Sequence, residues 1–412
     1  MNIAVMGYGT VGSGVVEIIN KRGADLKGKS IDEELHVKYI LDLRDFPGDV
    51  NENKFTKNFE DILNDDTVKI VVETMGGIKP AFDFTASCLK AGKHVVTSNK
   101  ELVAEKGLEL LGLARDNNVN FMFEASVGGG IPVIRPLSVC LAANKIQSIN
   151  GILNGTTNFI LTKMISDNMS FEAALKIAQD NGYAEKDPTA DVEGHDACRK
   201  ICILASLCYG HHVYPKDVHT EGITKIMLED VAYAASYDAV IKLIGTASVL
   251  ENGQIYILIS PALVRTSSQL ASVDDVFNAV LVDGDATGEV VFYGKGAGKL
   301  PTASAVVADV IDCGNHLNKR RLIDWKDELP GSIADYREIK NEYYIRLHVT
   351  DSFSELSEIK SVFGNIHLLA RSGAGTHELA FVTEEFTENE VREKINTLNG
   401  AELKSLIRVA KC

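Results

Sequence analysis

Five carboxylate side chains lie within twelve residues near the middle of the chain. They are Glu185, Asp187, Asp191, Glu193 and Asp196. A pocket rich in carboxylates attracts an ammonium group, because opposite charges interact strongly where water is partly excluded. The stretch therefore predicts a binding site for a small molecule that carries an amino group.

Lys200 follows Asp196 by four residues. On a helix this spacing places both side chains on one face. A lysine beside a carboxylate in a cleft is a candidate proton donor to a developing alkoxide. Spacing alone, however, favours an ordinary helical salt bridge, worth a few tenths of a kcal/mol, over a catalytic pair.

A glycine motif opens the chain. The apolar run 2–6 is followed at once by Gly7-Tyr8-Gly9-Thr10-Val11-Gly12 and then by a helical pattern. In this context GxGxxG is typical of a dinucleotide-binding turn, whose glycines allow the tight bend, the approach of the pyrophosphate and close helix packing. The sequence predicts a site for NAD or NADP, and a glycine-rich turn without a ligand is the alternative.

The residues after the second predicted strand bear on the choice of cofactor. Asp42 ends that strand, where an acidic residue favours the ribose hydroxyls of NAD. Arg44, two residues later, favours the 2′-phosphate of NADP, unless it is a solvated loop arginine. The two signals conflict, so the preference stays open and we expect both cofactors to bind.

The elements that position these residues change in character along the chain. Up to residue 145, apolar runs alternate with helical patterns, which predicts an α/β, Rossmann-type domain around a parallel sheet. The runs lie at 2–6, 36–42, 69–73, 93–97 and 119–123, and the helical patterns include 79–91 and 100–116. The polar stretch 23–34 predicts a loop insertion, and a helix at 302–314 is expected to complete the domain.

Residues 146–315 predict an α+β domain for substrate binding and dimerisation. Helical patterns cover 157–167, 170–181 and 193–209, and alternating segments at 254–264 and 277–293 predict antiparallel strands. Residues 316–340 are charged and poor in apolar side chains, which predicts a linker.

The last segment, residues 341–412, predicts a ferredoxin-like βαββαβ module. Its expected elements, in order, are 342–350, 352–362, 365–371, 376–383, 387–398 and 402–409.

The composition excludes several classes of function. The chain has 412 residues, 45% of them hydrophobic and 24% charged, which suits roughly two to four globular domains. A formal net charge of -15 argues against nucleic acid or an anionic membrane as a partner. We find no apolar run of about 18 residues and no signal peptide, so we expect no membrane span and a cytoplasmic location.

Seven scattered cysteines predict free thiols. Cys198, Cys202 and Cys208 lie near His211 and His212, but their spacing matches no usual zinc site. Because this segment is an apolar helix, we expect the cysteines to act as small hydrophobic side chains.

Six ordered stretches of the chain resemble homoserine dehydrogenases. One contains Gly182-Tyr183-Ala184-Glu185, then Asp187-Pro188, then the run from Asp191 to Lys200. The others are residues 72–77, 97–100, 124–132, 151–158 and 294–303. The similarity spans roughly residues 1–315. The six stretches together are specific, although no single one would be.

The resemblance implies a role for each matching position. Lys200 is the proton donor, Asp196 is its partner at the substrate, and Lys100 lies between nicotinamide and substrate. Glu185 and Asp191 hold the substrate amino group. The positions implied to lie at the cofactor and substrate cleft are Thr74, Thr156, Gly182 and Gly298.

The resemblance also implies a site for a monovalent cation, expected to be sodium. Its matching positions are Glu124, Val127, Gly129 and Ile131. Backbone carbonyls would supply most of the ligands, and hard oxygen ligands suit such an ion. The alternative is a glycine-rich turn without a metal.

The implied activity is the NAD(P)-dependent interconversion of L-homoserine and L-aspartate 4-semialdehyde, in the branch toward threonine, isoleucine and methionine. A homo-oligomer, either a dimer or a tetramer, is implied as well. Alternatives are another amino-acid oxidoreductase, a non-catalytic amino-acid sensor and a structural NAD(P)-binding subunit. The segment 182–200 argues against the first, and the intact Asp196 and Lys200 argue against the sensor.

Residues 343–351 resemble the first strand of an ACT domain, the amino-acid-sensing module found at this end of many homoserine dehydrogenases. The family turn Asp-x-Pro-Gly-Val-Leu is here Asp351-Ser352-Phe353-Ser354-Glu355-Leu356. A serine hinders the close approach of an effector that glycine permits. We therefore expect the module to fold and pair subunits but to bind threonine weakly or not at all, unless its effector site lies elsewhere.

Overall fold

The structure, a computed structural model, describes residues 1–28 and 30–412. Its β-strands are β1 (Asn2–Met6), β2 (His36–Leu41), β3 (Phe55–Thr56), β4 (Val68–Glu73), β5 (His94–Thr97), β6 (Phe121–Met122), β7 (Ile146–Ile152), β8 (Ala239–Val249), β9 (Ile255–Arg265), β10 (Phe277–Gly284), β11 (Gly288–Lys295), β12 (Tyr343–His348), β13 (Ile366–Leu368), β14 (Glu378–Thr383) and β15 (Glu402–Val409). Its α-helices are α1 (Thr10–Leu26), α2 (Glu60–Leu63), α3 (Ala81–Lys90), α4 (Lys100–Asp116), α5 (Gly155–Ser166), α6 (Phe171–Asp180), α7 (Thr189–Val192), α8 (His195–Tyr209), α9 (Leu228–Ser236), α10 (Lys299–Asn315), α11 (Ser352–Phe363) and α12 (Glu388–Thr397).

These elements form two compact units. The first contains residues 1–145, 199–215 and 292–329, and the second contains residues 146–198, 216–291 and 330–412. Among the described residues, no helix is both long enough and apolar enough to cross a lipid bilayer.

The first unit is built on a six-stranded sheet in the order β3-β2-β1-β4-β5-β6, in which every pair is parallel. This is the strand order of a Rossmann domain, so the predicted fold of this part is confirmed. Ile3, Val5, Ile70 and Val72 are fully buried, as strands covered by helices on both faces require. The order reverses between β1 and β4, where a crevice for ligands opens beyond the carboxyl ends of the strands.

Helices α1 and α10 share one core over this sheet. Val15 of α1 and Val306 of α10 are buried there with Ile3, and each such side chain contributes roughly 1.5–3 kcal/mol to stability. The two helices pack so closely that a Cβ on Gly14 would lie 2.9 Å from the Cβ of Ala303. The helix predicted at 302–314 thus belongs to the first unit.

Two predicted boundaries in this unit were wrong. Helix α1 continues through Leu26, into the predicted loop 23–34, because Leu26 packs against the core. Residue 29 of that stretch lies outside the described residues. The strand predicted at 119–123 is only Phe121–Met122, since the chain turns at Phe123 into a 3₁₀ helix at 124–126.

The predicted linker 316–340 contains only one short helical turn, at 336–338. Its Trp325 is nevertheless 4% exposed. The indole N–H donates to Nδ1 of His212 at 2.9 Å, and the ring meets Phe123 edge-on. This part of the segment is therefore packed into the first unit.

Eight strands of the second unit, together with β11, form a nine-stranded mixed sheet in the order β11-β10-β7-β8-β9-β15-β12-β14-β13. The pairings of β7 through β10 are antiparallel, and so are those of β12 through β15 with one another. By contrast, β15 joins β9 in parallel, with Arg408 beside Ala262 and Val409 beside Leu263. The last module thus extends the sheet of the substrate region and has no separate sheet of its own.

The prediction for this unit was incomplete. The strand predicted at 277–293 is in fact two strands, β10 and β11, because the chain reverses at 285–287 and Gly288 adopts φ +69°. Strands β7 and β8 and helix α9 were not identified. Most of β8 is buried, so it lacks the polar alternation that marks a half-exposed strand.

Helix α8 begins at His195, two residues later than predicted. Gly194, with φ +81°, separates it from the short helix α7. Cys198 and Cys202 are 3% and 0% exposed in α8, so they pack as small apolar side chains.

A buried ion pair ties the last module to helix α9. Asp230, with 0% exposure, accepts hydrogen bonds from Nε of Arg346 at 2.8 Å, from the Tyr344 hydroxyl at 2.9 Å and from the Met227 N–H at 3.0 Å. Arg346 also approaches Glu378 at 3.4 Å. Two elements distant in sequence therefore depend on one carboxylate.

We expect Arg346→Met to lower the free energy of unfolding by about 3–5 kcal/mol, because it leaves Asp230 charged and buried without its main partner. Arg337→Met is the matched control. It breaks an exposed pair with Asp335 and should cost less than about 1 kcal/mol. Urea unfolding measures both, and a loss below 1 kcal/mol for Arg346→Met would contradict the stabilising role of the buried pair.

Candidate active site

The glycine motif forms the turn between β1 and α1. Gly7 adopts φ +96°, and its N–H donates to the Leu41 carbonyl at 2.8 Å. A Cβ on Gly12 would lie 1.9 Å from the Gly7 carbonyl oxygen, so only glycine fits there. Thr74 closes the turn from β4, since its hydroxyl donates to the carbonyls of Met6 and Gly7 at 3.1 and 2.9 Å. The turn is therefore preformed.

A cleft of about 450 Å³ lies beside this turn. The predicted cofactor residues that line it are Gly7, Gly9, Asp42, Arg44 and Thr74. Tyr8, Thr10, Val11 and Gly12 build the adjoining turn and the start of α1. The other walls are Leu41, Leu43, Lys57, Phe59, Met75, Pro80 and Phe84. Apolar walls with a few polar groups are typical of pockets for organic ligands.

Asp42 and Arg44 form one ion pair at the rim of the cleft. Nε and Nη2 of Arg44 donate to the two oxygens of Asp42 at 2.9 and 2.8 Å, and Nη2 also reaches the Tyr8 carbonyl at 3.1 Å. The Arg44 guanidinium holds the pKa of Asp42 far below its usual range. The two residues that gave conflicting predictions about the cofactor are thus bound to each other. A phosphate group that binds Arg44 must compete with Asp42 for the guanidinium.

Lys57 is a cleft residue that the sequence did not indicate. Its ammonium pairs with Asp45 at 2.7 Å, and its side chain is 55% exposed. It follows β3, far in sequence from the glycine motif, so only the tertiary structure brings this second cation to the cleft.

Lys100, a predicted catalytic residue, begins helix α4 on a rigid support. Asn99 caps the helix by accepting from the Leu102 N–H at 3.1 Å, and its own N–H donates to the Thr97 hydroxyl at 2.9 Å. That hydroxyl donates to the fully buried Glu73 at 2.5 Å. Burial raises the pKa of Glu73. The chain of hydrogen bonds fixes the first turn of α4.

Lys200, the other predicted catalytic lysine, is 7% exposed on α8. Its neighbour Arg199 donates to Glu101 at 3.2 Å. Because Glu101 directly follows Lys100, this contact joins the two lysine-bearing turns within the first unit.

In the second unit, one amide joins two of the five carboxylates. Nδ2 of Asn154 donates to Oδ1 of Asp191 at 2.7 Å and to Oδ2 of Asp196 at 2.9 Å. Asn154 and Asp196 are 5% and 4% exposed. Asn154 belongs to a stretch that the resemblance used, but its role was not predicted.

The other three carboxylates have separate positions. Asp187 accepts from the N–H and hydroxyl of Thr189 at 3.2 and 2.6 Å, which stabilises the turn into α7. Glu193 accepts from the Thr224 hydroxyl at 3.0 Å. The side chain of Glu185, a predicted substrate residue, is exposed.

The remaining predicted cleft residues sit at ends of helices. The Thr156 hydroxyl, in the first turn of α5, donates to the Tyr183 carbonyl at 2.7 Å. Gly182 follows α6 with φ +73°, and Gly298 is the N-cap of α10 with φ +118°.

The loop implied to bind a cation begins at Glu124. Its carboxylate accepts N–H groups of Val133 and Ile134 at 2.6 and 2.7 Å and of Arg135 at 2.8 Å, so both of its oxygens are hydrogen-bonded to the main chain. Val127 and Ile131 are 1% and 2% exposed. Within residues 1–28 and 30–412, no main-chain N–H donates to the carbonyl of either residue. Buried carbonyls without donors fit a cation.

The loop itself is held tightly. A Cβ on Gly129, which has φ +57°, would lie 2.2 Å from the Gly296 carbonyl oxygen. Asp309 accepts from the Glu124 N–H at 2.8 Å and from Arg135 at 2.5 Å, and burial raises the pKa of Asp309 to about 7. Within the described part of the chain, no three His, Cys, Asp or Glu side chains are grouped so that they could hold a metal ion.

Two family models match the chain. One is described as homoserine dehydrogenase and matches residues 132–311, and the other is described as its NAD binding domain and matches residues 7–124. A homoserine dehydrogenase of Synechocystis is 39% identical over an alignment that covers 99% of each chain.

Solved structures give the same result. A homoserine dehydrogenase from Thiobacillus denitrificans has a TM-score of 0.89 at 34% identity, over 100% of this chain and 98% of that one. A hyperthermophilic archaeal homoserine dehydrogenase in complex with NADPH has a TM-score of 0.64 at 30% identity, over 76% of this chain and 97% of that one.

We expect Arg44→Ala to weaken the binding of NADPH ten- to a hundredfold, the typical loss of a charged hydrogen bond to phosphate. NADH should lose less than about threefold, because Asp42 remains for the ribose. Titration of nicotinamide fluorescence measures both dissociation constants. Arg22→Ala, which removes an exposed arginine of α1, is the control. An equal loss for the two cofactors would mean that Arg44 does not face the 2′ position.

Proposed function

Since this chain belongs to the homoserine dehydrogenase family, we propose that Lys200 is its proton donor and that Asp196 is the partner of this lysine. The enzyme is an NAD(P)-dependent oxidoreductase that interconverts L-homoserine and L-aspartate 4-semialdehyde. One observation carries the assignment of the lysine: Asp196 and Lys200 are 4% and 7% exposed, one turn apart on α8. A surface salt bridge would leave both side chains in water.

The cleft beside β1 is the proposed cofactor site. Gly7 and Gly9 let the pyrophosphate approach the main chain, and the rim pair Asp42–Arg44 meets the adenosine ribose. When bound, the reduced nicotinamide supplies the hydride for the aldehyde carbon. The archaeal relative in complex with NADPH supports NADPH as a cofactor of this chain.

The proposed substrate residues divide into two tasks. Asp191 and Glu185 attract the substrate ammonium by charge, and Thr156 orients it. Lys200 delivers a proton from Nζ to the carbonyl oxygen as negative charge develops there, and it takes that proton back in the reverse direction. Asp196 stabilises the charged form of the lysine, and Lys100 adds positive charge near the reacting centre.

We propose that the loop from Glu124 to Ile131 holds a monovalent cation through main-chain carbonyls. The buried carbonyls of Val127 and Ile131 support this proposal, and Glu124 and Gly129 would shape the loop around the ion. Bound there, the ion would supply a fixed positive charge that offsets these carbonyl dipoles.

We propose that residues 341–412 are an ACT-like module without a working effector turn. Its elements follow the order βαββαβ, and its strands lie in the order β15-β12-β14-β13. In the turn that opens α11, Ser354 donates its N–H to Asp351 at 3.1 Å and its hydroxyl to the same carboxylate at 2.9 Å. The first bond is the N-cap bond of α11, which a glycine could also make, whereas the hydroxyl adds a side chain to this turn.

Pairing of subunits is proposed as well. β11 is an edge strand of the nine-stranded sheet and exposes Val291 and Tyr293, which supports a two-fold interface. Light scattering on the purified chain tests it, and a monomer at micromolar concentration would reject it.

We expect Lys200→Met to lower kcat by about 10²–10⁴-fold, the usual loss of an acid–base group. Lys225→Met, at an exposed position of the second unit, is the control and should keep full activity. Initial rates with L-homoserine measure both. If the Lys200 variant keeps a turnover near that of the wild type, another group transfers the proton. Lys100 is then the next candidate.

We expect activity to be insensitive to L-threonine over the range that inhibits a threonine-sensitive relative assayed in parallel, because Ser354 occupies the effector turn. The Ser354→Gly variant tests whether this side chain causes the insensitivity to threonine, since it removes the side chain. Ser352→Gly in the same turn is its control. Strong inhibition of the wild-type chain by threonine would contradict the proposal. The assay uses the full chain, since removing β15 would strip the partner of β9.

A further inference from the structure

We propose that Asn154 is a positioning residue that holds Asp191 and Asp196 together as two charged carboxylates. The inference rests on the proposed roles of these carboxylates in substrate binding and in partnership with Lys200. Asn154 itself is not assigned to touch the substrate.

The geometry begins with a single nitrogen. Nδ2 of Asn154 has two hydrogens, and it lies 2.7 Å from Oδ1 of Asp191 and 2.9 Å from Oδ2 of Asp196. Because the two N–H bonds diverge by the angle of a planar amide, the two acceptor oxygens are only about 5 Å apart. The Asn154 amide therefore donates one hydrogen bond to each of the two carboxylates.

Two carboxylates this close in a nearly buried place repel each other. Such repulsion is ordinarily relieved when one of them takes up a proton. A neutral donor that bonds to both charged forms opposes that proton uptake without adding an ammonium group that would compete with Lys200 or with the substrate. Asparagine meets this requirement because it brings two donors and no charge.

The amide oxygen of Asn154 makes a further hydrogen bond, which fixes the orientation of the side chain. Oδ1 of Asn154 accepts from the Thr157 N–H at 2.8 Å, which caps α5, and the Asn154 carbonyl accepts from the Thr157 hydroxyl at 3.1 Å. The next residue, Gly155, is also confined, since a Cβ there would lie 2.7 Å from the Val276 carbonyl oxygen. The helix start thus points Nδ2 at the carboxylates.

The contact of Asn154 with both carboxylates distinguishes a bridging role from a role as a helix cap alone, because the two roles tolerate different substitutions. A residue that only capped α5 could be replaced by aspartate or serine, because both are good N-caps. A residue that bridges two carboxylates could not be replaced by aspartate, which has no N–H and adds a third negative charge. Serine is intermediate, since its single hydroxyl proton can serve only one carboxylate.

The experiment compares Asn154→Asp and Asn154→Ser in the full chain. We expect kcat/KM for L-homoserine to fall about a hundredfold or more in N154D and about tenfold in N154S, with a raised KM for L-homoserine and a lowered kcat. The KM for the cofactor and the melting temperature should stay close to wild type. Asn252→Asp is the matched control, because Asn252 accepts a backbone N–H at 2.9 Å in an exposed turn remote in sequence from both carboxylates.

Near wild-type kinetics of a folded N154D would overturn the bridging role and leave a helix cap. An equal loss of kcat/KM in N154S and N154D would also overturn it, because the number of donors and the added charge would then make no difference. If N154D does not fold, N154S decides alone: a tenfold loss at unchanged melting temperature supports the bridge, and full activity rejects it. Asp196→Asn is assayed beside them. If D196N stays active, the proposed site itself fails; if D196N is inactive while N154D is active, only the role of Asn154 fails.

Discussion

A carboxylate removed from water must be given hydrogen-bond donors or a cation, and this requirement organises the protein from its cores to its candidate site. Asp230 has Arg346 and Tyr344, Glu73 has Thr97, and Glu124 has three successive main-chain amides. The Arg346, Tyr344 and Thr97 donors lie on different elements from the carboxylates that they contact. These contacts therefore fix the geometry between elements as well as satisfying a charge.

The same requirement links the last module to the substrate region. Asp230 on α9 depends on Arg346 of β12, while β15 completes the edge of β9. A module held by a shared sheet and a buried charge is part of the structural frame of the second unit. In the same module the Ser354 hydroxyl donates to Asp351 at the start of α11.

At the cofactor cleft, the carboxylate and its cation are neighbours in sequence and lie at the rim. Asp42 and Arg44 satisfy each other, so neither is a free ligand for ribose or phosphate. Lys57 adds a second cation to the lining of the same cleft.

The sequence by itself determined what depends on neighbours along the chain. The strand, turn and helix of the glycine motif, the alternation up to residue 145, the shared helix face of Asp196 and Lys200, and the βαββαβ order all follow from local spacing. The likeness of six ordered stretches to one family indicated the activity. Buried strands such as β8 were not predicted, because most of their side chains are buried on both faces. Their sequences therefore lack the alternation of apolar and polar residues that identifies a half-exposed strand.

Only the tertiary structure decided which side chains meet. These contacts are the pairing of β15 with β9, the approach of Lys57 to the cleft, the Arg346–Asp230 pair and the bridge of Asn154 between Asp191 and Asp196. Arg346 and Asp230 lie 116 positions apart, and Asn154 and Asp191 lie 37 apart. No local pattern encodes such contacts. The physical reason is that a buried charge selects its partner by position in space, and the folding of the whole sheet sets that position.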